Sequence, residues 1–187
     1  MIQAKSFYFI RHGQTDWNVK HCAMGITDIL LNSHGIKQSK NACKYIKDLP
    51  IKTICYSPLK RAKQTAEIFN EDLQCEMVPI EELKEFCLGT YAGKIIGDWF
   101  EKWLAGATLP KGETFQEFVQ RALVGVNKAL FYKGPVLIVG HGGTYWAIQQ
   151  ATQLLDLPDL PNCTLVRFSS PKSRGEKWTC SEFILNK

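Results

Sequence analysis

The chain has 187 residues, 45% of them apolar and 22% charged, which suits one buried core and excludes a mainly disordered or fibrous polypeptide. Twenty-three Lys and Arg against 18 Asp and Glu leave a formal charge of +5, and the cations are scattered with no basic run, so a nucleic-acid partner is not indicated. No apolar run approaches the roughly 18 residues that a membrane-spanning helix needs, and residues 1–5 leave no room for a signal peptide, so no membrane partner and a cytoplasmic location are expected.

Phe7-Tyr8-Phe9-Ile10 is a short apolar run ending in Arg11-His12-Gly13, the pattern of a buried strand that opens into a glycine loop. A polar loop is expected to about Leu31. Asn32 or Ser33 then caps a helix whose apolar positions Ile36, Ala42, Cys43, Ile46 and Leu49 recur at helical spacing until Pro50 stops it. Thr53-Ile54-Cys55-Tyr56 reads as a second strand, and Ser57-Pro58 as the start of a helix with proline in its first position. Residues 75–78 suit a third strand, whereas 81–93 show no clean period.

Ile95, Ile96, Trp99, Phe100, Trp103 and Leu104 fall on one helical face, so the spacing predicts an amphipathic helix over 94–104, broken by Pro110-Lys111-Gly112. That face either caps a pocket with tryptophans or packs into the core, and core packing is the expectation. Helical periodicity returns over 114–131. Pro135-Val136-Leu137-Ile138-Val139 is the clearest buried strand, followed by Gly140-His141-Gly142-Gly143 and a helix to about Leu155. Residues 163–168 and 178–185 read as closing strands. Strands alternating with helices indicate an α/β layered domain with a largely parallel sheet.

The seven cysteines are Cys22, Cys43, Cys55, Cys75, Cys87, Cys163 and Cys180. Their number is odd and no two have zinc-site spacing, so neither a disulfide framework nor a metal knuckle is expected.

Two apolar strands each end in histidine and glycine. Ligands of open α/β sheets bind beyond the carboxyl ends of the strands, so His12 and His141 are expected to converge on one crevice. Arg11 adjoins the first, and Arg61 lies on the opening turns of the helix after the second strand. Two histidines and two arginines about one point suit a phosphoryl group: guanidinium forks match phosphate oxygens, and a neutral imidazole can attack phosphorus. Neighbouring arginines disfavour imidazolium and should keep the ring neutral. No metal or cofactor is called for, and a small phosphorylated substrate is the expected partner.

Phe9-Ile10-Arg11-His12-Gly13-Gln14-Thr15-Asp16-Trp17-Asn18 resembles the signature of the histidine phosphatase superfamily, in its phosphoglycerate mutase-like branch. Further matches follow in family order: Leu31-Asn32-Ser33-His34-Gly35-Ile36-Lys37-Gln38, Ser57-Pro58-Leu59-Lys60-Arg61-Ala62-Lys63-Gln64-Thr65-Ala66, Leu83-Lys84-Glu85 with Gly89 and Gly93, Pro110-Lys111-Gly112-Glu113-Thr114, and Val139-Gly140-His141-Gly142-Gly143. The resemblance runs from about residue 6 to residue 150. It implies a three-layer α/β/α sandwich, phosphoglycerate mutase-like, with one domain over 1–187 and a short cap-like helical insertion around 94–110.

By position the resemblance makes His12 the nucleophile that becomes phosphorylated. Arg11, Arg61 and His141 would complete the phosphate pocket, with Asn18 and the Gly142 backbone N–H assisting. Glu85 would be the acid that protonates the leaving oxygen and the base that then activates water. Glu81 and Glu82 are its sequence rivals, read here as a solvated loop face, because only Glu85 stands two residues after Leu83 and four before Gly89. Where the family places an Arg and a Gln or Ser ahead of the glycine matching Gly25, this chain has Cys22 and Met24, with Ile26 following. That departure points away from a glycerate carboxylate. His34 belongs to a helix start, and His21 to a loop within reach of substrate.

The implied activity is a metal-independent phosphomonoesterase acting on a small phosphate ester through phosphohistidine. A cofactor-dependent phosphoglycerate mutase and an α-ribazole phosphatase-like activity are the alternatives, and a non-catalytic phosphate-ester binder is the alternative of another class. The oligomeric state is left open.

Overall fold

The computed structural model describes residues 1–173 and 175–182. In chain order the elements are β1 (Phe7–Arg11), α1 (Asp16–Val19), α2 (Ser33–Ile46), β2 (Thr53–Tyr56), α3 (Lys60–Leu73), β3 (Glu76–Pro79), α4 (Asp98–Leu104), α5 (Phe115–Ala129), β4 (Val136–Gly140), α6 (Gly142–Thr152), β5 (Leu165–Ser169) and β6 (Thr179–Glu182). Two 3-10 turns, Glu81–Leu83 and Gly89–Tyr91, punctuate the stretch between β3 and α4.

The strands form a six-stranded sheet in the order β3-β2-β4-β1-β5-β6. The first four are parallel, and β5 and β6 add antiparallel pairings at the β1 side. Alternation of side chains about the pleat divides the apolar strands between two cores. Phe7, Phe9, Cys55, Val136 and Ile138 face α5 and α6, packing against Val126, Ala129, Tyr145 and Ile148. Tyr8, Ile10, Ile54, Tyr56, Leu137 and Val139 face α2 and α3, packing against Ala42, Ile46, Ala62, Ala66 and Phe69. Strands buried on both faces must be apolar at every position, which is why β1 and β4 read as continuous runs. Each fully buried Ile or Leu among them stabilises the fold by about 1.5–3 kcal/mol. The result is the expected α/β/α arrangement. Among the described residues no helix is long and apolar enough to cross a membrane.

Several local expectations are corrected. Proline does not occupy the first position of α3: Leu59 is its N-cap and Lys60 its first residue, so Pro58 lies in the turn before the helix. Residues 94–97 are not helical. Ile95 and Ile96 are 61% and 47% exposed, because their backbone pairs with the loop after β1: Cys22 bridges Ile95, Lys94 O accepts from Ala23 N–H, and Ile96 N–H donates to His21 O. The helix starts only after Gly97, at Asp98. The loop after β1 contains the single turn α1, closed by a reciprocal cap between Thr15 and Asn18. Of the last expected strand, 179–182 forms β6, while 183–185 lies outside the described residues. The seven cysteines are free thiols.

A third apolar cluster fills the space between α4, α5 and the segment before α4. Phe86, Leu88, Phe100 and Trp103 pack with Phe118 and Ala122 there. Trp103 is fully buried and donates its indole N–H to Glu113 O at 2.8 Å. This cluster supports the loop that carries Glu85.

Candidate active site

The sheet register decides where the two histidines go. β1 and β4 are parallel neighbours, and Arg11 is paired with Gly140. The next residue of each strand, His12 and His141, therefore leaves the same sheet edge side by side, with ring centroids 5.1 Å apart and planes inclined at 61°. β2 is the other neighbour of β4, with Tyr56 opposite Val139. Ser57 leaves β2 at the same edge, and α3 then carries Arg61 back over it.

His12 is 2% exposed. Its Nδ1 lies 2.7 Å from Gly13 O, and a carbonyl oxygen only accepts, so Nδ1 carries the proton. Arg61 donates from Nε to His12 Nε2 at 3.3 Å, which leaves Nε2 the lone-pair nitrogen. Arg61 is itself fully buried. Its remaining nitrogens donate to Thr27 O and Gly25 O, both at 2.8 Å, so its plane is fixed. Burial, then the charges of Arg61 and Arg11, hold the His12 pKa well below the usual imidazole value. The arginine effect anticipated from the sequence is present, but desolvation is the larger cause. Burial also pulls the Arg61 pKa down to about 10, against the stabilising carboxylates Glu85 and Asp28.

His141 is fully buried, and its Nε2 lies 2.7 Å from Ser57 Oγ. Burial and Arg61 push its pKa well below the usual value too. Arg11 donates through Nη1 to Leu160 O at 2.8 Å. Among the described residues, Arg11 Nε and His141 Nδ1 are buried with no protein partner. Buried polar nitrogens of this kind are costly unless a ligand meets them. Asn18 has its Oδ1 committed to the Thr15 backbone and hydroxyl at 3.0 and 3.1 Å, so the donor end of its amide is what it offers.

Glu85 is 7% exposed. Oε1 accepts from Phe86 N–H and Oε2 from Gly143 N–H, each at 3.2 Å. Burial raises its pKa despite Arg61, those two N–H groups and Arg11, all of which favour the carboxylate. Burial is the cause of the rise, and no negative neighbour contributes to it. Glu81 is exposed and paired with Lys84, and Glu82 is paired with Lys128.

Arg11, His12, Asn18, Arg61, Glu85 and Gly142 line one end of a cavity of about 750 Å³. His141 stands beside His12 and does not itself line it. His21, Cys22 and Met24 form one side; Ile96, Phe100, Leu104, Phe115, Trp146 and Leu155 supply an apolar wall. Of the tryptophans weighed as a cap, Trp103 belongs to the core, and Trp99 donates to Ile95 O and lies against Tyr91. The wall takes Phe100 and Leu104 from α4 and an indole from α6. His34 is exposed on the first turn of α2.

Other site residues escaped sequence reasoning. Asn162 donates to His12 O at 2.8 Å and Thr65 Oγ1 accepts from Gly13 N–H at 3.0 Å, so both brace the His12 loop. Trp146 Nε1 donates to Asp159 Oδ1 at 3.0 Å on the cavity wall. Ser57 opens the Ser57–Ala66 block, but nothing in the sequence marks its hydroxyl as the partner of His141. Among the described residues no group of three or more His, Cys, Asp or Glu side chains is arranged to hold a metal ion.

Comparison with known proteins shows the family of the chain. Residues 7–183 match the histidine phosphatase superfamily (branch 1), and the chain belongs to that family. It is 34% identical over 181 residues to the uncharacterized phosphatase PhoE of Bacillus subtilis (strain 168), covering 95% of this chain and 93% of the relative. It is 28% identical over 197 residues to the probable phosphoglycerate mutase GpmB of Klebsiella pneumoniae (strain 342), covering 95% and 89%. The structure of a putative alpha-ribazole-5'-P phosphatase from Escherichia coli superposes with a TM-score of 0.80 at 22% identity, covering 96% of each chain, which is a likeness of fold.

Proposed function

We propose that this member of the histidine phosphatase superfamily is a metal-independent phosphomonoesterase that passes the phosphoryl group of a small ester to His12 and then to water. The observation that carries the reading is the polarity of His12: Nδ1 holds the proton against Gly13 O, and Nε2 keeps its lone pair beside the Arg61 guanidinium. In the first step Nε2 forms a bond to phosphorus while the ester P–O bond breaks, and the departing oxygen takes the proton of Glu85. In the second, Glu85 as carboxylate takes a proton from water, the water oxygen bonds to phosphorus and the P–N bond breaks, releasing inorganic phosphate and restoring His12. Arg11, Arg61 and the Asn18 amide hold the phosphoryl oxygens through a loose transition state, with the Gly142 N–H assisting at the start of α6. Ser57 donating to His141 Nε2 would leave Nδ1–H as a further donor. The raised pKa of Glu85 suits a group that must carry a proton at the start of the cycle.

The rest of the cavity supports an ester of an uncharged, apolar alcohol. Arg11 and Arg61 are its only lysine or arginine lining among the described residues, while Glu101 and Asp159 also face it. A second anionic group on the substrate would find carboxylates and no free cation. Cys22 and Met24 on the wall carry the same message. We read 1–187 as one domain with α4 and the chain around it as the short cap. The likeness to a phosphoglycerate mutase keeps that activity as the second reading.

A panel of phosphate esters assayed in chelator tests the proposal. Phenyl and p-nitrophenyl phosphate should be hydrolysed with higher kcat/KM than 3-phosphoglycerate or O-phosphoserine. Isomerisation of 3-phosphoglycerate without phosphate release would decide for the mutase.

A further inference from the structure

The carboxyl of Glu85 accepts two backbone N–H groups at 3.2 Å, and its place in the cavity depends on the loop that carries it. That loop is tied to α5 by one side chain. Arg121 Nη1 donates to Glu82 O at 3.0 Å and to Lys84 O at 2.9 Å, and Nη2 donates to Glu85 O at 3.2 Å. The other guanidinium hydrogens go to Glu113, from Nη2 to Oε1 at 2.6 Å and from Nε to Oε2 at 3.2 Å. All five N–H donors are thereby used, three of them on carbonyls of the acid loop. Glu113 Oε1 also accepts from Cys87 N–H at 2.7 Å, and Glu113 N–H donates to Cys87 O at 2.9 Å, so the same pair secures the far side of Glu85.

The helix is shaped for this contact. One turn after Arg121 comes Gly125, where an added Cβ would lie 2.9 Å from Glu82 C and 3.0 Å from Leu83 N. The absent side chain lets α5 approach the loop backbone closely enough for the guanidinium to reach three carbonyls. Phe118 lies beneath the guanidinium, with Cζ 5.3 Å from its ring centroid, and is also a wall that an added Cβ on Gly143 would meet.

We propose that Arg121, oriented by Glu113, is the positioning residue for the proton donor: it sets the height and rotation of Glu85 in the cavity without touching substrate. The proposal rests on Glu85 being that donor. A planar fork is needed, since a lysine ammonium at the same position keeps the charge but cannot span three carbonyls and a carboxylate. Misplacement of a catalytic group by about 1 Å is enough to cost on the order of a hundred-fold in rate.

Steady-state kinetics on two esters separates positioning from general support of the fold. p-Nitrophenolate leaves readily without a proton, whereas phenolate depends on one, so the ratio of the two kcat/KM values reads proton delivery in the phosphorylation step. Arg121→Lys should lower kcat/KM for phenyl phosphate at least about ten-fold more than for p-nitrophenyl phosphate. Glu113→Gln, which keeps an acceptor for Cys87 N–H, should shift the ratio in the same direction by less. Adding Arg121→Lys to Glu85→Gln should change the ratio no further. If Glu85→Gln shifts the ratio but Arg121→Lys and Glu113→Gln lower both esters equally, the positioning role is overturned and the donor assignment stands. If Glu85→Gln itself lowers both equally, the donor assignment fails and the proposal fails with it.

Discussion

Arg61 donates from Nε to His12 Nε2 over 3.3 Å, between residues 49 apart in the chain. A protonated Nε2 has no lone pair to accept that bond, so the contact and the Nδ1 bond to Gly13 O specify the same tautomer. The guanidinium thus fixes the tautomer that the proposed attack needs and, in that proposal, stands where phosphoryl charge would collect.

The two titrating groups of the proposed chemistry have pKa values moved in opposite directions: His12 is held well below the imidazole value by burial and Arg61, and Glu85 is raised by burial. With phenyl phosphate, kcat/KM should fall at high pH as Glu85 loses its proton, and Glu85→Gln should lower the plateau by about 10²–10⁴-fold while removing that limb. A pH–rate profile of both proteins checks this. Retention of the alkaline limb in the variant would assign it to another group.

Folding stability should rise with pH between 5 and 6.5. The folded chain holds His12 and His141 neutral, while the unfolded chain protonates both below about 6.5, so their contribution is lost on acidification. Glu85 acts oppositely: its raised pKa gives a contribution that is full below 4.5 and lost as pH rises through the folded value. Two histidines act against one carboxyl, so the net effect is a rise of stability with pH. Urea midpoints measured across this range should show it, and His141→Asn should make the slope shallower. An unchanged slope would place its origin in other groups.

Gly143 is the residue against which Glu85 rests. An added Cβ would collide with Glu85 Oε1 and lie 2.8 Å from Phe118 Cζ. Gly143→Ala should therefore destabilise the fold by about 1–3 kcal/mol and lower turnover of phenyl phosphate more than that of p-nitrophenyl phosphate. Thermal unfolding and the two-ester ratio report these separately. A lower midpoint with an unchanged ratio would mean that Phe118 yields and Glu85 does not.

The parts of the fold legible in sequence are those specified by local pattern. β1 and β4 are buried on both faces and so read as unbroken apolar runs, and α2 shows its buried stripe plainly. The convergence of His12 and His141 could be anticipated because each follows such a strand. The misread segment, 94–97, has helical spacing but is drawn into pairing with residues 21–23, a contact that no local period encodes. α1 is hidden in a polar loop because its support is the Thr15–Asn18 cap and not an apolar face. Asn162 donates to a backbone carbonyl of a distant loop, so nothing about its own neighbours announces it.

The central claim is a phosphoryl group on His12, and rapid-quench mass spectrometry of the protein mixed with p-nitrophenyl phosphate in chelator tests it most directly. The account predicts an acid-labile phosphate on the peptide containing His12, formed before steady-state release and absent from His12→Ala. Turnover with no phosphate on that peptide, or labelling of His12→Ala as strong as that of the unmodified protein, would contradict it.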